Sequence, residues 1–350
     1  MQRCLQLAAM GAGMVAPNPM VGAVLVYEDR IIGEGYHHAY GEVHAEVNCI
    51  NSVADADKEY IEKATLYVSL EPCAHFGITP PCADLVIFNK IPHVVIGCRD
   101  SFIKVAGKGI EKLQNAGIQV TLGVLEKECI DLNKRFFCFH EKKRPYIILK
   151  WAQTRDGKIA PLNPTERGSS ESANANRLLI SNDTTNRLVH KWRSEEAAIL
   201  VGTNTALMDD PSLTTRLYAG KDPVRLVIDK HLKLPSTLKL FDGSVRTIVF
   251  NFIKQSDEGM LLFCKLDPGE NVITQILSAI HNERLLSVMV EGGAKLLQSF
   301  IDEGLWDEAR IITNEQVTIG EGLPAPVLKN ERLLDEQKIN TDTISYFINE

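Results

Sequence analysis

Pro72-Cys73-Ala74-His75-Phe76-Gly77-Ile78-Thr79-Pro80-Pro81-Cys82, with His44-Ala45-Glu46 upstream, is the stretch that decides how this chain is read. One imidazole and two thiolates are soft to borderline donors, a set suited to zinc. Three protein ligands leave the fourth position of a tetrahedron open, which marks a catalytic metal site rather than a closed structural one. Water brought there becomes far more acidic, its pKa falling from about 15.7 toward about 7. Glu46, two residues past the histidine, is close enough to move protons without binding the metal. Both cysteines follow a proline and are read as opening helical segments, where unpaired N–H groups and the helix dipole favour a thiolate. Taken singly, each residue would be a buried thiol or a surface charge. The full set argues for zinc catalysis.

On either side of this site apolar stretches alternate with helical patterns, which points to an α/β architecture. Val21–Val26 reads as a strand, Glu28-Asp29-Arg30 as a turn and Ile31–Gly35 as the returning strand. A helix is expected at Ala45–Ser52, a strand at Thr65–Leu70 and a helix at Cys82–Asn89. Further strands at Val94–Gly97 and Gln119–Gly123 flank a helix at Gly109–Ala116. The charged run Glu141-Lys142-Lys143-Arg144-Pro145 then breaks the pattern, and the domain boundary is placed there, giving 1–143 and 144–350. A length of 350 residues favours two domains on its own. Beyond the break, strands are expected at Tyr146–Ala152, Ala197–Val201, Arg225–Ile228, Thr247–Phe250 and Ser287–Val290. Helices fit Asp183–Ser194, Ile273–Ile280 and Lys295–Glu303, and the two halves share no repeat.

Composition bounds the partners. A net charge of −7 argues against a large nucleic-acid surface, because such binding is driven by neutralising phosphates. No apolar run approaches the roughly 18 residues of a spanning helix, so no membrane partner is expected. Arg3 followed by Leu5, Leu7, Ala8, Ala9 and Met10 has the flavour of a weak signal peptide, but Gln6, Gly11 and Gly13 interrupt it. Eight cysteines in a chain of this length, without an export signal, do not make a disulfide framework. The expected compartment is a reducing cytoplasm.

The second half carries weaker local signals. Val288-Met289-Val290-Glu291-Gly292-Gly293-Ala294 is a strand ending in glycines just before a helical pattern, and Val201-Gly202-Thr203-Asn204-Thr205 has the same form. Such a junction lets backbone N–H groups approach a phosphate at a helix N-terminus, and it is equally the form of a tight turn. Neither is a G-x-G-x-x-G fingerprint, so a Rossmann domain is not indicated.

His-x-Glu followed by Pro-Cys and a second Cys resembles the signature of zinc-dependent nucleobase deaminases. The eight residues between the cysteines, where two are common, narrow the resemblance further. Together with Asn18-Pro19-Met20-Val21-Gly22, Gly35-Tyr36-His37, Gly41-Glu42-Val43 and Lys104-Val105-Ala106-Gly107-Lys108-Gly109, the insertion is similar to that of the riboflavin pathway. Lys150-Trp151-Ala152-Gln153-Thr154-Arg155-Asp156-Gly157-Lys158, Arg193, Ala198–Gly202 and Asp209–Arg216 follow in the same family's order. On these residues the chain is identified as a member of the bifunctional diaminohydroxyphosphoribosylaminopyrimidine deaminase and aminouracil phosphate reductase family, over essentially its whole length.

The resemblance implies a cytidine-deaminase-like three-layer α/β/α domain followed by a dihydrofolate-reductase-like α/β domain. It implies zinc in the first and NADPH in the second, a small phosphorylated pyrimidine as substrate, and a homo-oligomer. Asn18, His75, Asp100 and Lys104 are then expected around the base and ribose phosphate, with Glu46 as the proton shuttle. Leu179, Thr205, Asp209 and the segment opening with Gly293, Ala294 and Lys295 match cofactor positions. Arg193, Leu213, Arg216 and Glu291 match substrate positions, the arginines as bidentate phosphate clamps. Lys150 and Asp156 are candidates for proton handling at the imine. The chain departs from the family pattern in two places: Ile78 stands where a basic residue is common, and Leu179 stands in place of a tryptophan. Rival readings are a zinc deaminase of nucleosides or tRNA, and an active deaminase joined to a degenerate reductase-like module.

Overall fold

A computed structural model of the chain describes residues 1–76, 80–100, 107–162 and 179–350. The chain divides into two compact units, Met1–Arg144 and Pro145–Glu350.

The first unit is built on a five-stranded sheet. Its elements are α1 (Gln2–Ala9), β1 (Gly22–Tyr27), β2 (Arg30–Tyr36), α2 (Ala45–Asn51), β3 (Thr65–Leu70), α3 (Cys82–Phe88), β4 (His93–Cys98), α4 (Lys108–Asn115), β5 (Gln119–Leu122), α5 (Glu126–Leu132) and α6 (Lys134–Glu141). The strand order is β2-β1-β3-β4-β5, with β1 antiparallel to both neighbours and β3, β4 and β5 parallel. The turn joining β1 to β2 is tighter than the sequence suggests. Tyr27 already pairs with Arg30, and only Glu28 and Asp29 sit in the turn, both at positive φ (44° and 62°). That geometry matches the twist of the flanking strands.

Period-two alternation sorts the sheet's two faces. Ala23 and Leu25 point into a core with Leu66, Val68, Val94 and Ile96, closed by Ala45 and Cys49 of α2, Ala83 and Val86 of α3, and Ile110 and Leu113 of α4. Val24 points the other way, against Cys4 and Leu7 of α1. Helices therefore cover both faces, and the layering is α/β/α.

The second unit carries a ten-stranded sheet. Its elements are β6 (Tyr146–Thr154), β7 (Lys158–Pro161), α7 (Asp183–Glu195), β8 (Ala198–Gly202), α8 (Thr203–Asp209), β9 (Val224–Ile228), β10 (Thr247–Asn251), β11 (Ser256–Asp257), β12 (Leu261–Lys265), α9 (Val272–Asn282), β13 (Ser287–Gly292), α10 (Ala294–Asp302), β14 (Glu308–Asn314), β15 (Gly322–Pro324), β16 (Glu331–Ile339) and β17 (Asp342–Asn349). The order is β11-β12-β10-β9-β8-β13-β6-β14-β17-β16. The central strands β12 to β14 of that order are parallel, and the outer β11, β17 and β16 run antiparallel to their neighbours. The parallel strands are near-continuous apolar runs, as burial on both faces demands. Ile147, Leu149 and Trp151 of β6 share one core with Ile276 and Leu277 of α9 and with Leu297, Phe300 and Ile301 of α10. β13 is inserted between β6 and β8, so the strand order reverses there, and such a switch point is where open α/β sheets bind ligands. Among the described residues no helix is long and apolar enough to cross a membrane.

Candidate functional site

Three segments bring the predicted metal ligands together. His44 is the N-cap of α2, in extended backbone at φ −74° and ψ 166°, so its ring projects ahead of the helix. Cys82 is the first residue of α3, after Pro81. Cys73 lies in irregular chain beyond β3 rather than at a helix start, which corrects the sequence reading for that residue. Its sulfur instead accepts the backbone N–H of Cys82 at 3.3 Å. His44 Nδ1 stands 3.3 Å from Cys82 Sγ and 3.6 Å from Cys73 Sγ, and the three donor atoms lie within 4.8 Å of one another. Tetrahedral bonding to zinc, at roughly 2.0–2.3 Å per ligand, sets a sulfur–nitrogen edge of about 3.6 Å. The donor chemistry and the spacing both fit zinc.

Electrostatics favour the same assignment. The Cys82 thiol and the His44 ring donate toward Cys73 and hold its thiol below the ordinary range, while burial opposes them. Glu46 is the second residue of α2 and only 3% exposed. Burial pushes its carboxyl up to about 7, and the neighbouring Cys73 adds to the rise. A carboxyl with that value both accepts and releases a proton near neutrality.

Beside the metal triangle lies His37, which sequence reasoning left unassigned. Its Nδ1 is 3.1 Å from the Val43 carbonyl, which can only accept, so Nδ1 carries the proton. Nε2 then accepts from Asn18 Nδ2 at 3.1 Å, and the amide oxygen of Asn18 faces away from the ring. Burial lowers the pKa of His37, and its ring meets His44 edge-on at 5.5 Å. A second unassigned residue is Glu71, 3% exposed, whose carboxylate accepts four backbone N–H groups. His75 is exposed, two residues past Cys73, and Asp100 is half-buried. Lys104 and Ile78 lie outside the described residues.

In the second unit the two glycine-bearing junctions lie side by side. A Cβ on Gly293 would stand 3.2 Å from Thr205 Oγ1. Gly293 is the N-cap of α10, Ala294 and Lys295 are its first residues, and Asp209 closes α8 one turn beyond Thr205. Thr203 Oγ1 donates to the Ile228 carbonyl at 2.5 Å and ties the α8 start to β9.

Arg193 and Glu291 form a two-bond fork, Nε to Oε1 at 2.8 Å and Nη2 to Oε2 at 2.7 Å, while Nη1 donates to the Thr214 carbonyl at 3.2 Å. This corrects the expectation that Arg193 clamps a phosphate, because its bidentate edge is already closed on a carboxylate. Burial works against the Glu291 charge, but Arg193 and then Lys150 outweigh it and hold its pKa at about 2. His190, one turn before Arg193 and 4% exposed, is lowered to about 4 by burial, with Arg193 and Arg216 adding to the shift. Leu213 is 1% exposed and holds φ +50°, a strained value for a γ-branched residue at a buried position. Arg216 is exposed and lines a cavity of about 790 Å³ with Arg187, Thr214, Thr215 and Tyr218.

Asp156 is placed elsewhere. It accepts from Thr154 Oγ1 at 2.5 Å and from the Gly320 N–H at 2.7 Å, and these bonds hold its pKa at about 2. These bonds make Asp156 an anchor of the turn at Ile319 and Gly320. Leu179 is 62% exposed.

Comparisons with known proteins follow the same division. The RibD C-terminal domain family model matches residues 145–335, and the cytidine and deoxycytidylate deaminase zinc-binding region matches residues 1–98. The chain is similar to the riboflavin biosynthesis protein RibD of Aquifex aeolicus, 40% identical over 329 residues, covering 92% of this chain and 88% of the relative. The corresponding protein of Bacillus amyloliquefaciens is 39% identical over 317 residues, covering 88% and 81%. Among solved structures, a diaminohydroxyphosphoribosylaminopyrimidine deaminase/5-amino-6-(5-phosphoribosylamino)uracil reductase from Thermotoga maritima superposes with a TM-score of 0.86 at 35% identity, covering 100% of this chain and 97% of the other. A RibD structure from Acinetobacter baumannii gives 0.87 at 29% identity, again covering 100% and 97%.

Proposed function

The chain belongs to the RibD family of riboflavin biosynthesis proteins, and on that premise we propose how its residues divide two successive reactions between two units. The first unit hydrolytically deaminates 2,5-diamino-6-(ribosylamino)pyrimidin-4-one 5′-phosphate. The second reduces the ribosyl side chain of the product to ribityl with NADPH. The observation that carries this reading is the triangle of His44 Nδ1, Cys73 Sγ and Cys82 Sγ at tetrahedral spacing, with the buried Glu46 carboxyl alongside.

Zinc held by His44, Cys73 and Cys82 supplies the acidity that turns water into a nucleophile near neutral pH. Glu46 takes the proton released by the attacking water and passes it to the departing amine, two transfers suited to a carboxyl at about 7. His37 fixes the Asn18 amide so that its oxygen, not its nitrogen, is offered to an N–H on the pyrimidine edge. On the family resemblance, Asp100, His75 and Lys104 serve the base and the ribose phosphate.

NADPH supplies the hydride to C1′ of the opened sugar imine. Gly293, Ala294 and Lys295 present N–H groups to a cofactor phosphate at the start of α10, beside Thr205, with Asp209 on the same face of α8. Lys150, adjacent to Glu291, delivers the proton to the imine nitrogen. Arg216 meets the substrate phosphate in the cavity it shares with Arg187, while Arg193 and Glu291 act as one pair that holds the Thr214 carbonyl, next to Leu213 in the chain. The eight cysteines form no disulfide with one another, in keeping with a reducing cytoplasm. The charge of −7 supports a small-molecule partner over nucleic acid.

The test gives zinc-loaded protein the diaminopyrimidine ribose phosphate with and without NADPH, and identifies products by mass. Deaminated product alone, then ribityl product when NADPH is added, is the expected result. Deaminated product in both tubes would make the second unit a degenerate module, as Leu179 in place of a tryptophan suggests. No deamination with zinc bound would return the first unit to the nucleoside deaminases.

A further inference from the structure

We infer that Glu71 is the positioning residue of the deaminase site, binding the Cys73 arm of the metal centre to the start of α4 and to the backbone of Asp100. The inference rests on the zinc reading above and adds a residue to it.

Of the three metal ligands, His44 and Cys82 are placed by helices, but Cys73 sits in irregular chain beyond β3. Something outside regular structure must hold it. Glu71, two residues earlier, donates its own N–H to the Cys98 carbonyl at 3.0 Å, extending the β3–β4 ladder. Its side chain turns inward. Oε1 accepts from Gly109 N at 2.9 Å and Ile110 N at 3.2 Å, and Oε2 accepts from Gly107 N at 3.0 Å and Asp100 N at 3.3 Å. Gly107 is the N-cap of α4, and Gly109 and Ile110 lie in its first turn. These are the donors a helix start leaves unsatisfied, so Glu71 caps α4 from another element and puts a negative charge at its positive end.

Packing locks the other side. The Pro72 carbonyl lies so close to α4 that a Cβ on Gly109 would stand 1.9 Å from it. The Cys73 carbonyl accepts the Ala83 N–H at 3.1 Å, and Cys73 Sγ accepts the Cys82 N–H. The chain from Glu71 to Cys73 is thus held between α3 and α4, with Asp100 tied to the same carboxylate. Only a carboxylate satisfies four converging donors. A glutamine would turn its own NH₂ toward one of the two donor pairs.

The experiment compares full-length, zinc-loaded wild type with Glu71→Gln and Glu71→Asp, reading the rate of zinc transfer to excess chelator without substrate. The KM and kcat of deamination are then measured, with reduction of pre-deaminated substrate as the fold control. For Glu71→Gln, zinc release about 10–100-fold faster is expected, as for other residues that orient metal ligands. KM should rise more than kcat falls, because the tie to Asp100 is lost while Glu46 is untouched, and reduction should stay within about twofold of wild type. Glu71→Asp keeps the charge and should recover part of both effects. Wild-type zinc release in Glu71→Gln with reduction intact would overturn the inference. Should Glu71→Gln fail to fold, Glu71→Asp decides: faster release with reduction intact supports the role, and wild-type release overturns it. Because zinc release needs no substrate, a chain that deaminates nothing would sink the functional reading and leave this result to stand separately.

Discussion

Arg193 and Glu291 face each other across α7 and β13 in a two-bond fork at 2.8 and 2.7 Å, with side chains only 11% and 8% exposed. Removing one partner leaves the other charged and buried, which costs far more than the pair contributes. Arg193→Ala should therefore destabilise the second unit by about 3–5 kcal/mol. Arg193→Lys should recover little, since an ammonium cannot span both carboxylate oxygens and Thr214 in one plane. Trp151, Trp192 and Trp306, the chain's three tryptophans, all lie in the second unit, so denaturant unfolding followed by tryptophan fluorescence reads it selectively. Unchanged unfolding in Arg193→Ala would show that the fork is dispensable to the fold.

Glu46→Gln keeps size and burial but cannot move protons. Deamination should fall by about two to three orders of magnitude, the range lost when a positioned acid/base is removed. Zinc content should be unchanged, because the ligand triangle does not include Glu46. NADPH-dependent reduction of pre-deaminated substrate should proceed at the wild-type rate. Zinc loss in this variant would instead make Glu46 a structural support of the ligands.

The metal centre was legible because its chemistry is local: His44 and Glu46 are two residues apart, and each cysteine follows a proline. Buried parallel strands such as β6 and β8 were legible for a similar reason, as short apolar runs bounded by breaks. β16 was not, because Arg332 to Lys338 on this edge strand are exposed and show no alternation. Nor was α6, because Phe136, Phe137, Cys138 and Phe139 are consecutive buried residues and show no helical period. Glu71 has no sequence signature at all. Its partner Gly109 is 38 residues on, and the bond is to a backbone N–H that any residue would offer. Only part of the Asp156 environment was legible: Thr154 lies two residues away in the same motif, whereas Ile319 and Gly320 lie 163 and 164 residues away.

His190 should give the second unit an acid-sensitive stability. Buried, with Nδ1 lacking a partner among the described residues and Arg193 and Arg216 nearby, it has a pKa of about 4, against 6.5 when free. The unfolded chain therefore binds the proton first as pH falls. Stability from this residue is complete above about pH 6.5 and is lost progressively down to about pH 4, by roughly 3 kcal/mol in total. Glu291 acts in a lower window, below its free value of 4.5 and down to about 2, so the two can be separated. Fluorescence-monitored unfolding at pH 7.5 and 5, compared with His190→Gln, checks this. A wild type whose stability changes no more than the variant's would refute it.

Gly109 provides an independent check on the geometry around Glu71. A methyl group there would sit 1.9 Å from the Pro72 carbonyl oxygen, a backbone atom that cannot swing away as a side-chain tip could. To admit it, Pro72 must shift, and Cys73 shifts with it. Gly117 offers the contrast within the same unit: it holds φ +82°, and a Cβ placed on it would meet nothing within 4 Å. Gly117→Ala should cost only the backbone penalty of a left-handed residue, about 1 kcal/mol, and keep its zinc. Gly109→Ala should cost on the order of 1–3 kcal/mol in overpacking and also release zinc faster to a chelator, as Glu71→Gln does. Since both changes act on one arm of the site, their effects on zinc release should be less than additive in the double variant. Additive effects would mean that Gly109 and Glu71 reach the metal by separate routes.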